Sequence, residues 1–223
     1  MEPPVRLGIL GGTFDPIHLG HLRSAEEIGE KLTLTKVYLI PSASPPHKTD
    51  TPVSRFEQRL ALTRAAAGQS PLLEALDWEG KRPGLSYSIE TLKEFRAMFG
   101  PDAELFFILG TDAFLEIDTW KAYKDLFAYA HFVIIPRPGF ERQGLTPVFE
   151  DLGIGPAQGK DEAVYAAPSG KKIMLMSTTL MDISATGIRD RVRANRSIRF
   201  LVPEVVRIYI EKEGLYQNYE YAG

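Results

Sequence analysis

The chain is predicted to be an α/β protein with a doubly wound, mostly parallel sheet, helices on both faces and a small C-terminal helical segment. Three observations predict this. Short apolar runs suited to buried strands recur along the 223 residues, without the strict alternation of a half-solvated sheet. Segments with apolar residues three and four apart lie between most of them. The two kinds of segment alternate, as strand–helix–strand crossovers require.

Val5–Leu10 is the first strand run, and Gly11-Gly12 follows it directly. Leu22–Leu32 carries a helical period, and Val37–Ile40 is the second strand run. Pro41–Pro52 reads as a loop. Arg55–Ala67 is helical, Leu72–Leu76 a strand, and Ile89–Phe99 helical again. Leu105–Leu109 is a further strand run, in which Phe106 and Phe107 read as core residues. Tyr123–Tyr129 predicts a short helix and Phe132–Ile135 a strand. Gly139–Lys172, rich in glycine, proline and acids with little periodicity, predicts a long surface excursion. Ile173–Met176 is the last strand run, followed by helical segments at Ala185–Ala194 and Pro203–Glu213. Pro203 suits a first helical position and Gly214 the residue just past a helix end. No internal repeat is visible, and residues 1–223 read as a single domain with a Rossmann-like layout.

Composition excludes several classes. Hydrophobic residues make up 44% and charged residues 25% of the chain, ordinary values for a globular protein. A net charge of −3 gives no basis for non-specific binding to nucleic acid or membrane. Arg189, Arg191, Arg193, Arg196 and Arg199 read as a solvated helix face. With no cysteine, a disulfide framework, a thiolate nucleophile and a cysteine metal site are all excluded. Met1-Glu2-Pro3-Pro4 lacks the basic start and apolar core of a signal peptide, and the apolar runs are too short to span a bilayer. The expectation is a soluble cytoplasmic protein with no nucleic-acid or membrane partner; a homo-oligomer is left open.

The most informative segment is Gly11-Gly12-Thr13-Phe14-Asp15-Pro16-Ile17-His18-Leu19-Gly20-His21. Glycines after a strand let the backbone approach a ligand, and a helix beginning there attracts anions. His18 and His21, at i and i+3, share one face of its first turn. The parts suit a polyphosphate. A zinc site is disfavoured, since the chain has four histidines, of which His47 and His131 are remote. Neither G-x-x-x-x-G-K-[ST] nor G-x-G-x-x-G is present. Asp15 before Pro16 reads as a turn former.

The segment resembles the signature of the nucleotidyltransferase superfamily with the H-x-G-H motif. Its partner motif, I-S-S-T-x-I-R, has a near copy at Ile183-Ser184-Ala185-Thr186-Gly187-Ile188-Arg189, with Ala185 where serine is common. Within the superfamily the chain is most similar to the bacterial nicotinate-nucleotide adenylyltransferases. Pro45-Pro46-His47-Lys48, Ser86-Tyr87-Ser88, Gly110-Thr111-Asp112, Trp120 and Arg137-Pro138-Gly139 each resemble a segment of that family, with Ser88 in place of threonine.

The resemblance implies adenylyl transfer from ATP to nicotinate mononucleotide, with Mg²⁺ carried by the ATP and no metal site in the protein. His18, His21 and Arg189 would be catalytic. Gly11, Gly12, Thr13, Phe14, Gly20, Gly110, Asp112, Ser184 and Thr186 would bind ATP. His47, Lys48, Tyr87, Ser88, Trp120 and Arg137 would bind the mononucleotide. Without the resemblance, Trp120 is as readily a packing residue, Lys48 a solvated loop charge and Asp112 a helix cap. Phosphopantetheine adenylyltransferase and the cytidylyltransferases share the phosphate motifs, and a nucleotide-binding sensor without turnover would share the pocket. Preference for nicotinate over nicotinamide is not legible in the residues.

Overall fold

The computed structural model describes residues 4–44, 53–136, 142–156 and 164–217. One sheet contains strands β1 (Arg6–Gly12), β2 (Lys36–Pro41), β3 (Leu73–Ala75), β4 (Glu104–Gly110), β5 (His131–Ile135), β6 (Gly155–Pro156), β7 (Val164–Ala166) and β8 (Lys172–Leu175). Their spatial order is β3-β2-β1-β4-β5-β8-β7-β6. From β3 to β8 every pairing is parallel, whereas β7 and β6 add on antiparallel. The chain leaves β1 toward β2 and β3, then returns to place β4 on the other side of β1. Strand order therefore reverses between β1 and β4, and a crevice opens at their carboxyl ends, where this architecture binds ligands.

The helices are α1 (Leu19–Lys31), α2 (Phe56–Ala67), α3 (Ser88–Phe99), α4 (Thr111–Leu115), α5 (Tyr123–Tyr129), α6 (Thr146–Leu152), α7 (Ala185–Arg193) and α8 (Glu204–Lys212). Alternation along β4 divides the core in two. Leu105, Phe107 and Leu109 pack with Leu92 and Phe95 of α3, Leu126 and Phe127 of α5, and Phe149 of α6. Phe106 and Ile108 pack on the other face with Ile28 of α1, Leu62 of α2, Ile188 of α7 and Val206 of α8. Successive side chains on a strand point to opposite faces, so an unbroken apolar run is what a sheet covered twice requires.

Two sequence expectations are corrected. Gly139–Lys172 is not merely a surface excursion: its described residues form α6, β6 and β7, and Phe149, Leu152, Ile154 and Ala167 are buried. Strands of two and three residues are too short to show a period, and they form because β8 offers an unpaired edge. Helix α4 was not expected, being too short for its periodicity to register. Pro203 lies one residue earlier than anticipated, as the N-cap of α8. Gly214 closes α8 with φ +63°, the Leu215 N–H reaching Ile210 O at 3.0 Å. Among the described residues no helix is long and apolar enough to cross a membrane.

At the start of β5, His131 stacks on Phe106 and its Nδ1 accepts the Lys172 N–H at 2.9 Å, tying β5 to β8. Burial, reinforced by the nearby Lys171 charge, pushes its pKa down to about 4. An unfolded histidine protonates near 6.5, so the folded state loses stability as pH falls from about 6.5 to 4. In urea titrations at pH 7.5 and 5.0, His131→Asn is expected to show a smaller acid-side loss than the parent. An equal loss would remove His131 as its source.

Candidate functional site

The loop from β1 to α1 is built over a buried polar cluster. Asp15 is 4% exposed; its Oδ1 accepts the Tyr216 hydroxyl at 2.9 Å and its Oδ2 the Ser54 N–H at 3.2 Å. Arg59 of α2, 1% exposed, donates to Thr13 O at 2.6 Å, Ser54 O at 2.8 Å and Ala43 O at 3.3 Å. Burial lowers the Arg59 pKa while the Asp15 charge pulls it back up; burial and then Asp15 raise that of Tyr216. Asp15 does shape the turn. Arg59, Ser54 and Tyr216 were not anticipated, because no motif in the sequence links them to it.

This loop sets the histidine pair. His18 is the N-cap of α1, and its N–H donates to His21 Nδ1 at 3.3 Å. An accepting Nδ1 leaves the neutral ring's proton on Nε2. The two imidazoles stack with centroids 3.6 Å apart, and Phe14 meets His21 edge-on at 5.0 Å. Gly20 makes this possible, since a Cβ there would come within 3.1 Å of His18 Nδ1. Among the described residues beyond its chain neighbours, a Cβ on Gly11 would meet no atom within 4 Å, and Gly11 lines a cavity.

The second motif arrives from the far end of the chain. Ser184 is the N-cap of α7 and accepts the Gly187 N–H at 3.0 Å. Arg189 donates through Nη2 to Thr186 Oγ1 at 3.2 Å and through Nη1 to Asp15 O at 2.7 Å, which joins α7 to the β1–α1 loop. Neither α1 nor α7 has an acidic residue in its first turn, so the positive ends of both helix dipoles are retained. The segment leading to Ser184 is strapped to α1: Glu27 Oε2 accepts the Thr179 N–H at 2.9 Å, and Ser24 Oγ pairs with Thr178 Oγ1 at 3.1 Å. Hydrogen bonds from Thr179 hold the Glu27 pKa down to about 2.

Two adjoining cavities lie along the crevice. One, of about 350 Å³, is lined by His18, Gly20, His21, Gly110, Ser184 and the segment Thr178–Ile183. The other, of about 360 Å³, is lined by Gly11, Gly12, Thr13, His21, Tyr87, Ser88, Gly110, Asp112 and Trp120, with Ser42, Glu79, Ser86 and Lys121. His21 and Gly110 belong to both. The glycine loop and Asp112 thus stand with the aromatic residues rather than with Ser184. Trp120 also meets Phe107 edge-on at 6.2 Å, so it packs on the core while lining the cavity. Phe14 is buried beside His21 and lines neither cavity. His47, Lys48 and Arg137 lie outside the described residues. Among the described residues no group of three or more His, Asp or Glu could hold a metal ion.

A cytidylyltransferase-like family model matches residues 9–191. A relative from Desulfatibacillum aliphaticivorans, described as "Probable nicotinate-nucleotide adenylyltransferase", is 46% identical over 95% of this chain and 100% of its own length. One from Chromohalobacter salexigens with the same description is 44% identical over 96% of each chain. Among solved structures, the Plasmodium falciparum nicotinic acid mononucleotide adenylyltransferase complexed with NaAD superposes with a TM-score of 0.72 at 18% identity. That match covers 95% of this chain and 97% of the other. At that identity it speaks for the fold.

Replacing Tyr216 by Phe removes a buried donor from Asp15 without removing the ring. A carboxylate left short of a partner costs about 1–3 kcal/mol. Tyr216→Phe is expected to lower the unfolding free energy by roughly that amount in urea titration; unchanged stability would show that Asp15 does not depend on it.

Proposed function

This chain belongs to the cytidylyltransferase-like family and, within it, to the nicotinate-nucleotide adenylyltransferases, and on that premise we propose an assignment of its two cavities. The reaction joins nicotinate mononucleotide to the adenylyl group of ATP, giving nicotinate adenine dinucleotide and pyrophosphate. The cavity walled by Thr178–Ser184 takes the adenylyl donor, and the one walled by Trp120 and Tyr87 takes the mononucleotide. The observation that carries this reading is that His21 lines both. Transfer between two bound substrates needs a junction at which the reacting phosphates meet, and His21 occupies it.

The chemistry suits these residues. A mononucleotide phosphate oxygen attacks the α-phosphorus, the bond to the bridging β-phosphate oxygen breaks, and its electron pair leaves with pyrophosphate. The nucleophile is already an anion, so positioning and charge stabilisation do most of the work. The His21 Nε2–H donates to the α-phosphate, and His18 stacks behind it and contacts the phosphate chain. The N-terminal turns of α1 and α7, with Ser184 and Thr186, receive the departing phosphates, and Arg189 holds these two elements together around them. Gly20 lines the donor cavity, Gly11, Gly12 and Thr13 line the other beside His21, and Gly110 lines both; Phe14 holds the His21 ring from behind, and Asp112 accepts from ribose hydroxyls. Trp120 stacks on the pyridine ring while Tyr87 and Ser88 meet its carboxylate. His47, Lys48 and Arg137 bind the mononucleotide by the family resemblance alone. The ATP would carry Mg²⁺, which would neutralise phosphate charge there, in line with its preference for substrate phosphates and water. The lack of cysteine suits the cytoplasm, where we place the enzyme.

Pyrophosphate release with ATP and Mg²⁺ tests the reading when nicotinate mononucleotide, nicotinamide mononucleotide and phosphopantetheine are run in parallel. Strong turnover on the first is expected; turnover confined to phosphopantetheine would overturn the pyridine assignment. His21→Asn is expected to lower kcat about 10²–10³-fold, the range for losing one transition-state donor, with ATP affinity changed little. A variant turning over at the parent rate would remove His21 from the reaction. Trp120→Ala should raise KM for nicotinate mononucleotide about tenfold, since stacking contributes roughly 1–3 kcal/mol per ring, and leave KM for ATP nearly unchanged. A matching rise in both would place Trp120 in the core alone.

A further inference from the structure

Beside the mononucleotide cavity lies a buried carboxylate that the reaction does not use. Glu79 sits on the single turn Trp78–Lys81 after β3, is 9% exposed and lines that cavity. Its Oε1 accepts the Thr91 hydroxyl at 3.0 Å, and Thr91 Oγ1 in turn accepts from Arg82 Nη2 at 2.7 Å. Among the described residues its Oε2 is buried without a hydrogen-bond partner. Burial pushes the Glu79 pKa up; the Ser86 and Thr91 hydroxyls, Arg82 and the Ala43 N–H oppose the shift.

Ser86 gives that carboxylate a purpose. Its Oγ accepts the N–H groups of Ala43 at 2.9 Å and Ser44 at 3.1 Å, while the Ser86 N–H donates to Ser44 O at 3.0 Å. A hydroxyl has two lone pairs and one proton. With both lone pairs engaged by residues 43 and 44, only the proton remains to donate, and Glu79 is the acceptor beside it. Thr91 occupies Oε1, which leaves the unpartnered Oε2, on the same cavity wall, as the acceptor open to the Ser86 proton. A carboxylate can accept both, whereas a carboxamide offers a single acceptor oxygen.

We propose that Glu79 is a positioning residue for the mononucleotide: acting through Ser86, it clasps residues 42–44 after β2 to residues 86–88 at the start of α3. Ser42, Ser86, Tyr87 and Ser88 all line the mononucleotide cavity, so the clasp fixes the spacing between two of its walls. This rests on the assignment of that cavity made above.

The test compares Glu79→Gln, Ser86→Ala and the double variant with the parent, using steady-state kinetics and thermal unfolding. Each single variant is expected to raise KM for nicotinate mononucleotide about tenfold, as for a cavity wall displaced relative to its partner. KM for ATP and kcat should stay within about twofold, and the double variant should be no worse than the poorer single, because both residues act through one contact. Equal rises in both KM values, a fall in kcat alone, or effects that multiply in the double variant would overturn the proposal. Should Glu79→Gln fail to fold, Ser86→Ala decides the matter by the same KM comparison. A parent enzyme that used a different acceptor would overturn the cavity assignment instead, and the comparison repeated on that acceptor would still judge the clasp.

Discussion

The site depends on Asp15 being buried and satisfied. Its carboxylate and the Arg59 guanidinium are both nearly inaccessible, which is tolerable only where hydrogen bonds and opposite charge replace water. Asp15 has Tyr216 and Ser54; Arg59 has three backbone carbonyls, among them Thr13 O. These contacts draw α2 and the segment following α8 onto the β1–α1 loop. The loop's path decides where His18 caps α1, and the cap decides where His21 stands.

Arg189 extends the same constraint to the other end of the chain. Its bond to Asp15 O and its bond to Thr186 make α7 and the glycine loop one structure. Two helix N-termini without first-turn acids then face a single crevice, created by the reversal of strand order between β1 and β4. The topology supplies the location, the helix ends supply the positive field, and the imidazoles supply directed donors. The second cavity carries its own buried carboxylate, Glu79, with Ser86 on the same wall. Around Asp15 and Arg59, buried polar groups whose capacity is filled by backbone and hydroxyl partners stiffen a loop that periodic packing alone would leave underdetermined.

Much of this was legible in advance. Six strand runs and six helical segments could be read from apolar spacing, since burying both faces of a parallel sheet leaves a continuous hydrophobic signature. The pairing of His18 with His21 and the turn at Asp15 could be read because each is a relation between near neighbours. Helix α4 and the β6–β7 extension escaped notice, because five residues or fewer carry no period. Arg59, Tyr216 and Glu79 escaped for another reason: each has its partners in segments remote in sequence, and nothing local marks an arginine or a tyrosine as a loop anchor.

The amino-acid sequence by itself determined the order and kind of the main elements, the glycine–histidine and Ile183–Arg189 motifs near opposite ends of the chain and the family they belong to. These follow from local periodicity, capping and spacing, which act over a few residues. Tertiary structure alone decided that His21 lines two cavities, that the glycine loop and Asp112 line the aromatic one, and that Asp15 and Arg59 are buried against the β1–α1 loop. Those facts depend on which distant segments share a volume from which water is excluded, and a linear chain does not encode that proximity in any short stretch.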